Sequence, residues 1–297
     1  MKFFILLLIG LFIYYKLKDE KIIGAELVAL FANAFKNQKV WLIVVVLLMP
    51  LNWWLESLKW KRLARPVVNL PLKAAINGVL AGLSLAFITP HGLGDYVGRV
   101  FSFEHDQREK LLGGIFLGRM FQLLATLLFG TYGVYFLLGM SWTSVYVIII
   151  LCLVFTGLAI GWWSRKVKHP FLLRIGYYTN IIRTYRSFDL VYIFLLSCFR
   201  YTVFCFQFVV VLLMFTDLPI LLNMAGATWV LMAKSIIPTF NFLSDLGVRE
   251  FSAIYFFETF EIQLMPVLSA SLFIWFINIL VPTVIGATQV IKLKISS

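Results

Sequence analysis

Charge is scarce in this chain, and acid scarcest of all: 14 Asp and Glu stand against 26 Lys and Arg in 297 residues, and charged side chains make up 13% of the total. A soluble domain carries about twice that share, so a water-exposed globular fold is excluded. Cysteine is rare too. Cys152, Cys198 and Cys205 all sit inside apolar runs, with no Cys-x-x-Cys pair and none in a polar loop, which removes a disulfide framework and a cysteine metal site. No His-x-x-x-His pair, Ser-His-Asp spacing or nucleotide-binding glycine loop occurs, so metal, hydrolytic and ATP-driven chemistry find no support and no cofactor is expected. Period-2 alternation over strand-length windows is also missing, which argues against an outer-membrane barrel.

What the chain has in abundance is apolar surface. Hydrophobic residues reach 61% and the mean hydropathy is +0.92. Runs at 111–138, 144–163, 191–215 and 267–290 meet or exceed the ~20 residues a helix needs to cross a bilayer. The expected fold is all-α: a polytopic helical membrane protein with about six spanning helices. The shorter run 3–15 follows Lys2 and precedes Lys16 and Lys18, with no small-residue cleavage site, and is read as an uncleaved first span. The net charge of +12 does not point to nucleic acid. The cations lie in short loops beside apolar helices, where they set topology and meet anionic lipid.

Two stretches repeat one pattern. The first runs from Ala74 through Thr89, stops at Pro90, turns through His91-Gly92-Leu93-Gly94, and restarts with Asp95 and Arg99. The second runs from Ile220 to Ile237, stops at Pro238, passes a polar loop, and restarts at Leu246-Gly247-Val248-Arg249-Glu250. Broken apolar segments at corresponding places in two halves are the usual sequence pointer to a transport site at mid-membrane. Glycine at 92 and 94 permits positive φ and close backbone approach.

Charge placement then sets the path of the chain. Lys59, Lys61, Arg62, Arg65 and Lys73 form one basic stretch, and Arg165, Lys166, Lys168, Arg174, Arg183 and Arg186 another; both are expected in the cytoplasm. Helices 111–138 and 144–163 make an up-and-down pair, so 104–110 lies on the same side as 164–187. The intervening segment 74–103 must therefore enter and leave from the cytoplasm. The same parity makes 220–257 enter and leave from outside and returns Lys292 and Lys294 to the cytoplasm. The result is two re-entrant hairpins of opposite orientation in an inverted repeat, with 40–138 as the first repeat and 188–290 as the second in a single domain, 1–297. The competing reading has both runs span fully, with the short limbs as surface helices. Segment 16–39 is expected to lie as an amphipathic helix at the outer interface. Trp41 and Trp142 would mark that interface, and Trp53, Trp54, Trp162 and Trp163 the inner one.

Ionisable groups inside spans are expensive, so each is a candidate. Arg119, with Gln122 on the same helical face, Arg200, with Gln207 two turns on, and Lys234 stand out, beside Asp95, Arg99, Arg249 and Glu250. They form either internal ion pairs or a cationic cavity for an anionic head group. Pro90, His91, Gly92, Gly94, Pro238 and Gly247 are the hairpin tips. Asp95 and Arg99, four apart, can pair along one helix.

The segment Ile88-Thr89-Pro90-His91-Gly92-Leu93-Gly94-Asp95 with Arg99 and Arg119, together with Ile237-Pro238 and Leu246-Gly247-Val248-Arg249-Glu250, resembles the flippase-type transmembrane domain of the lysylphosphatidylglycerol synthase family. The resemblance covers nearly the whole chain. It departs at the second tip, where Thr239-Phe240-Asn241-Phe242-Leu243-Ser244-Asp245 replaces the family's glycine-rich turn. It implies a stand-alone membrane domain without the aminoacyl-transferase domain, placed in a bacterial cytoplasmic membrane with both termini inside. It also implies membrane lipids as partners, anionic or aminoacylated, moved between leaflets by alternating access. A membrane-embedded enzyme with Asp95 or Glu250 as base, and an ion-coupled solute transporter, are the alternatives.

Overall fold

In the computed structural model the described residues are 23–89, 92–139, 146, 184–237 and 242–295. Pro90, His91, Pro238, the expected span 3–15 and all of the expected span 144–163 except Tyr146 lie outside them. The described residues are helical with no strand: α1 Ile23–Asn37, α2 Lys39–Ala64, α3 Leu72–Ile88, α4 Gly94–Val100, α5 His105–Leu138, α6 Ser187–Phe215, α7 Ile220–Ile236, α8 Phe242–Glu258, α9 Leu264–Trp275, a π-helical turn Phe276–Leu280, and α10 Val281–Ile295. Among the described residues four stretches are long and apolar enough to cross a membrane: α2, α5, α6, and the continuous Leu264–Ile291. The chain is a polytopic helical membrane protein.

The two broken segments are built alike. Their first limbs, α3 and α7, are each 17 residues long, or ~25 Å of helix against ~30 Å of hydrocarbon. Each limb is framed by prolines: Pro71 and Pro90 for α3, Pro219 and Pro238 for α7. A proline offers no amide hydrogen and clashes with the preceding turn, so it opens and closes a helix cleanly. At the first tip the Gly94 amide donates to Thr89 Oγ1 (2.7 Å), the Thr89 hydroxyl donates to the Leu85 carbonyl (2.8 Å), and Gly92 takes φ 64°. The return limb α4 has only seven residues.

Contacts near the helix ends tie together the helices that flank each hairpin. The Tyr185 hydroxyl, just before α6, donates to the Leu63 carbonyl at the end of α2 (2.6 Å), and Arg62 pairs with Asp189 in the first turn of α6. Gly114, near the start of α5, packs on the same Leu63 carbonyl, which a Cβ there would meet at 3.2 Å. Thus α2 ends and α5 begins at one end of the bundle, so α3–α4 enters and returns there. At the other end Phe215, closing α6, lies edge-on to Phe31 (5.2 Å) and tilted against Phe273 of α9 (5.9 Å). There the end of α6 meets the first half of the continuous span Leu264–Ile291. The halves also interlock. The first limb of each hairpin packs on the helix that follows the other hairpin, α3 on α10 and α7 on α5.

Segment 16–39 behaves differently from a helix lying alone at an interface. Its described part, α1, is docked on the bundle, with Ala34 buried and the Phe31 ring edge-on to Phe215 of α6 and Phe273 of α9. Two apolar clusters hold the rest: one around α6, α8 and α9 (Phe208, Phe256, Phe257, Ile274), the other around α2 and α5 (Trp60, Leu63, Leu111, Ile115). Large apolar side chains such as Trp41, Leu47, Leu195, Phe199 and Val284 remain exposed, as expected where the solvent is hydrocarbon.

Within the first hairpin the limbs touch backbone to backbone. A Cβ on Gly98 would stand 2.4 Å from the Gly82 nitrogen, and no side-chain rotation relieves a clash with main chain. Gly98→Ala is therefore expected to splay α3 from α4 and lower the thermal midpoint in detergent, at about 1–3 kcal/mol or more for overpacking. An unchanged midpoint would mean the limbs are not held at this separation.

Candidate functional site

The charged residues inside the bundle form one connected network. Glu56 of α2 lies 2.8 Å from Lys59 Nζ, 3.0 Å from Arg99 Nη1 and 3.3 Å from Arg200 Nη1. Asp95 of α4 accepts from Arg99 Nε at 2.7 Å and from Arg119 Nη2 at 2.8 Å. Arg99 thus bridges both carboxylates, and four helices are tied together. Neutral groups extend the network: Gln122 Oε1 accepts from Lys59 (3.1 Å) and Arg200 (3.3 Å), and Asn52 Oδ1 accepts from Arg200 Nε (2.9 Å). Aromatic faces back the guanidinium groups: Trp60 lies 5.8 Å from Arg99, Tyr96 4.6 Å from Arg119 and Trp53 5.3 Å from Arg200. Cation–π contact of this kind holds a guanidinium without consuming its donors.

This network walls a cavity of about 380 Å³. The first hairpin contributes Leu83, Ala86, Asp95 and Arg99, and the second Leu231, Lys234 and Ser235. The remaining wall comes from α2, α5, α6 and the π-helical turn with Asn278 and Ile279. A π-turn often marks a functional position, because it re-aims side chains inside an otherwise regular helix. Lys59, Arg99, Arg119, Arg200 and Lys234 line the cavity against only Glu56 and Asp95, so its described wall is positive.

A second hollow, about 610 Å³, adjoins it and is nearly all apolar. It runs along α5, α6 and α7 past Phe129, Val209, Leu213 and Met224. Trp41, Phe206 and Ile220 on its rim are exposed. Tyr201 lines both hollows, and its ring is stacked on Phe129 at 5.1 Å.

Of the residues expected from sequence, Asp95, Arg99, Arg119, Arg200 and Lys234 meet at the cavity. Arg249 and Glu250 are buried in α8 and are not among its lining residues; the Ser271 hydroxyl of α9 donates to Glu250 at 2.9 Å. Gly92 and Gly94 sit at the first tip, and Gly247 lies inside α8. Two expectations need correction. Lys59 belongs to no cytoplasmic loop: it is buried within α2, one helical turn from Glu56, and its cost in hydrocarbon is met by that carboxylate. Trp53 is no interfacial anchor either, since it lines the cavity beneath Arg200. Glu56 was missed altogether, although an acid three residues before a lysine in an apolar run is a same-face pair. Gln207 turns elsewhere, donating to the Val45 carbonyl and accepting from Asn278.

Among the described residues no group of three or more His, Cys, Asp or Glu could hold a metal ion. Both wall carboxylates are already acceptors for arginine, a poor starting point for a general base.

A helical bundle with spans of this length and a charge-lined cavity between two broken apolar segments defines a class: polytopic integral membrane proteins. The chain belongs to the family described as the lysylphosphatidylglycerol synthase TM region, whose model matches residues 3–286. Membership ties it to the modification or flipping of membrane lipid. No curated protein matches the sequence.

Proposed function

We propose that this protein moves a phospholipid or related amphiphile between leaflets, holding the head group in the polar cavity and the tail in the adjoining apolar hollow. The observation that carries this reading is the sharing of Tyr201 by the two hollows. An amphiphile needs a charged site and a lipid-open apolar site joined at one point, and a soluble solute needs only the first. Both broken segments reach the cavity, which supports alternating access by hairpins that enter from opposite sides. Each tip closes one side, and rocking of repeat 40–138 against repeat 188–290 exchanges them. The basic ends of α2 and α10 (Lys61, Arg62, Lys292, Lys294) support a cytoplasmic orientation for both termini, and the membrane proposed is a bacterial cytoplasmic membrane.

The test is leaflet exchange in liposomes carrying the purified chain and a head-group-intact phospholipid with a fluorescent tail, read by an impermeant quencher. Exchange is expected to exceed that of protein-free vesicles, with the lipid chemically unchanged by mass spectrometry. A new lipid mass without exchange would overturn the translocase in favour of an enzyme. No exchange and no new mass, with folded protein present, would overturn it outright.

A further inference from the structure

We infer that Tyr201 is the gate between the polar cavity and the apolar hollow. Its ring closes the junction in this structure, and its hydroxyl finds a partner only when the ring swings off Phe129 to let an amphiphile pass. The inference rests on the lipid-translocase reading and concerns how that same site is controlled.

The two hollows follow one another along the same three helices. On α5 the wall passes from Thr126 in the cavity to Phe129 in the hollow, on α6 from Arg200 to Cys205, and on α7 from Leu231 to Thr228. Tyr201 alone among the described lining residues stands on both walls. Its side chain is buried, and its ring lies nearly parallel to that of Phe129, with centroids 5.1 Å apart and planes at 12°. The junction is therefore closed by two flat faces, one from α5 and one from α6. Such a stack is held by dispersion and ring electrostatics without a directional bond, and rotation of one side chain parts it.

The hydroxyl shows that the stacked arrangement is not the only one the residue serves. Tyr201 Oη is buried and has no hydrogen-bond partner among the described residues. The neighbouring wall hydroxyls are satisfied on their own helices: Thr126 donates to the Gln122 carbonyl at 2.9 Å and Thr228 to the Met224 carbonyl at 2.9 Å. Phenylalanine at position 201 would make the same stack and bury no polar atom. Leaving a buried donor unmade is expensive, and an orphan of this kind in a folded protein needs a use elsewhere in its cycle. The stacked state thus bears a penalty that the open state removes, which brings the two states closer in energy. In the open state the hydroxyl donates to an oxygen of the passing amphiphile, where head group and tail join.

The experiment uses the full chain in liposomes, with Cys152→Ala and Cys198→Ala leaving Cys205 on the hollow's wall as the reporter. The probe is an anionic methanethiosulfonate, which arrives from water and is kept out of lipid by its charge. Cys205 is expected to react slowly in this background and severalfold faster once Tyr201→Ala or Phe129→Ala removes one face of the stack. Phe129 is exposed, so its truncation serves even if Tyr201→Ala fails to fold. Tyr201→Phe keeps the ring and removes only the hydroxyl. It should slow leaflet exchange about fivefold, the worth of one hydrogen bond, while the thermal midpoint stays at or above the parent's. Equal labelling of Cys205 with and without the two rings overturns the gate. Exchange by Tyr201→Phe at the parent's rate, or slowed only in step with a lower midpoint, overturns the role of the hydroxyl and leaves the translocase in place. A parent protein without exchange overturns the translocase reading, and the Cys205 labelling still decides whether Tyr201 and Phe129 close the junction.

Discussion

Glu56→Gln is expected to cost the protein most of its stability. Three cations, Lys59, Arg99 and Arg200, converge on this one carboxylate, and its side chain is 8% exposed. Removing its charge leaves them repelling one another in a medium of low dielectric. Breaking a buried ion pair from one side costs about 3–5 kcal/mol, which corresponds to roughly 10 °C in thermal midpoint. The measurement is thermal unfolding of purified protein in detergent, alongside the Glu56→Gln, Lys59→Met double variant. Removing one of the surplus cations should recover part of the loss, and that non-additivity is the signature of direct coupling. A midpoint within about 2 °C of the parent would mean water reaches Glu56 freely and the network is not the interior of the bundle.

Arg119→Gln should behave in the opposite way, sparing stability and removing transport. Arg119 is the most exposed member of the network, so its pairing with Asp95 is screened and contributes little to folding, while Arg99 continues to hold Asp95. Its expected loss is in the bound head group, where one charge-assisted hydrogen bond amounts to about 1.5–3 kcal/mol, or about 10–100-fold in affinity. Leaflet exchange and thermal midpoint are measured on the same preparation. Should exchange fall only in step with stability, Arg119 is structural and the cavity does not act through it.

The parts that could be read from sequence share a common cause. Prolines that end apolar runs, loop cations and the spacing of Asp95 and Arg99 are local signals. They located the broken segment Leu72–Val100 and the Asp95–Arg99 contact, while the opposed directions rest on parity of the loops. Lys59 shows where local signals mislead. Followed by Lys61, Arg62 and Arg65, it looks like the start of a loop, but α2 continues to Ala64 and carries it inside. Helical phase separates it from its neighbours: Lys61 is exposed while Lys59 and Glu56 are buried. The convergence of Glu56 with Arg200 depends on how α2 packs against α6, 144 residues apart in number, and no spacing along the chain encodes it. Nor does any spacing encode the junction at Tyr201, which lines both hollows.

The interlocking of the hairpins constrains how the chain can be made. The face of α3 carrying Ser84 is completed by the carbonyl of Thr283, and a Cβ on Gly286 would stand 2.1 Å from the Leu80 carbonyl oxygen. Ribosomal synthesis delivers α10 only after every other described helix, so the first hairpin waits in the bilayer with a polar face uncovered until α10 emerges. A half-made chain therefore has no finished hairpin to offer, and separately expressed halves would have to find each other inside the membrane before either could settle. Quality control in the cell would meet the first broken helix as an exposed hydroxyl in lipid, hidden only when its distant partner arrives.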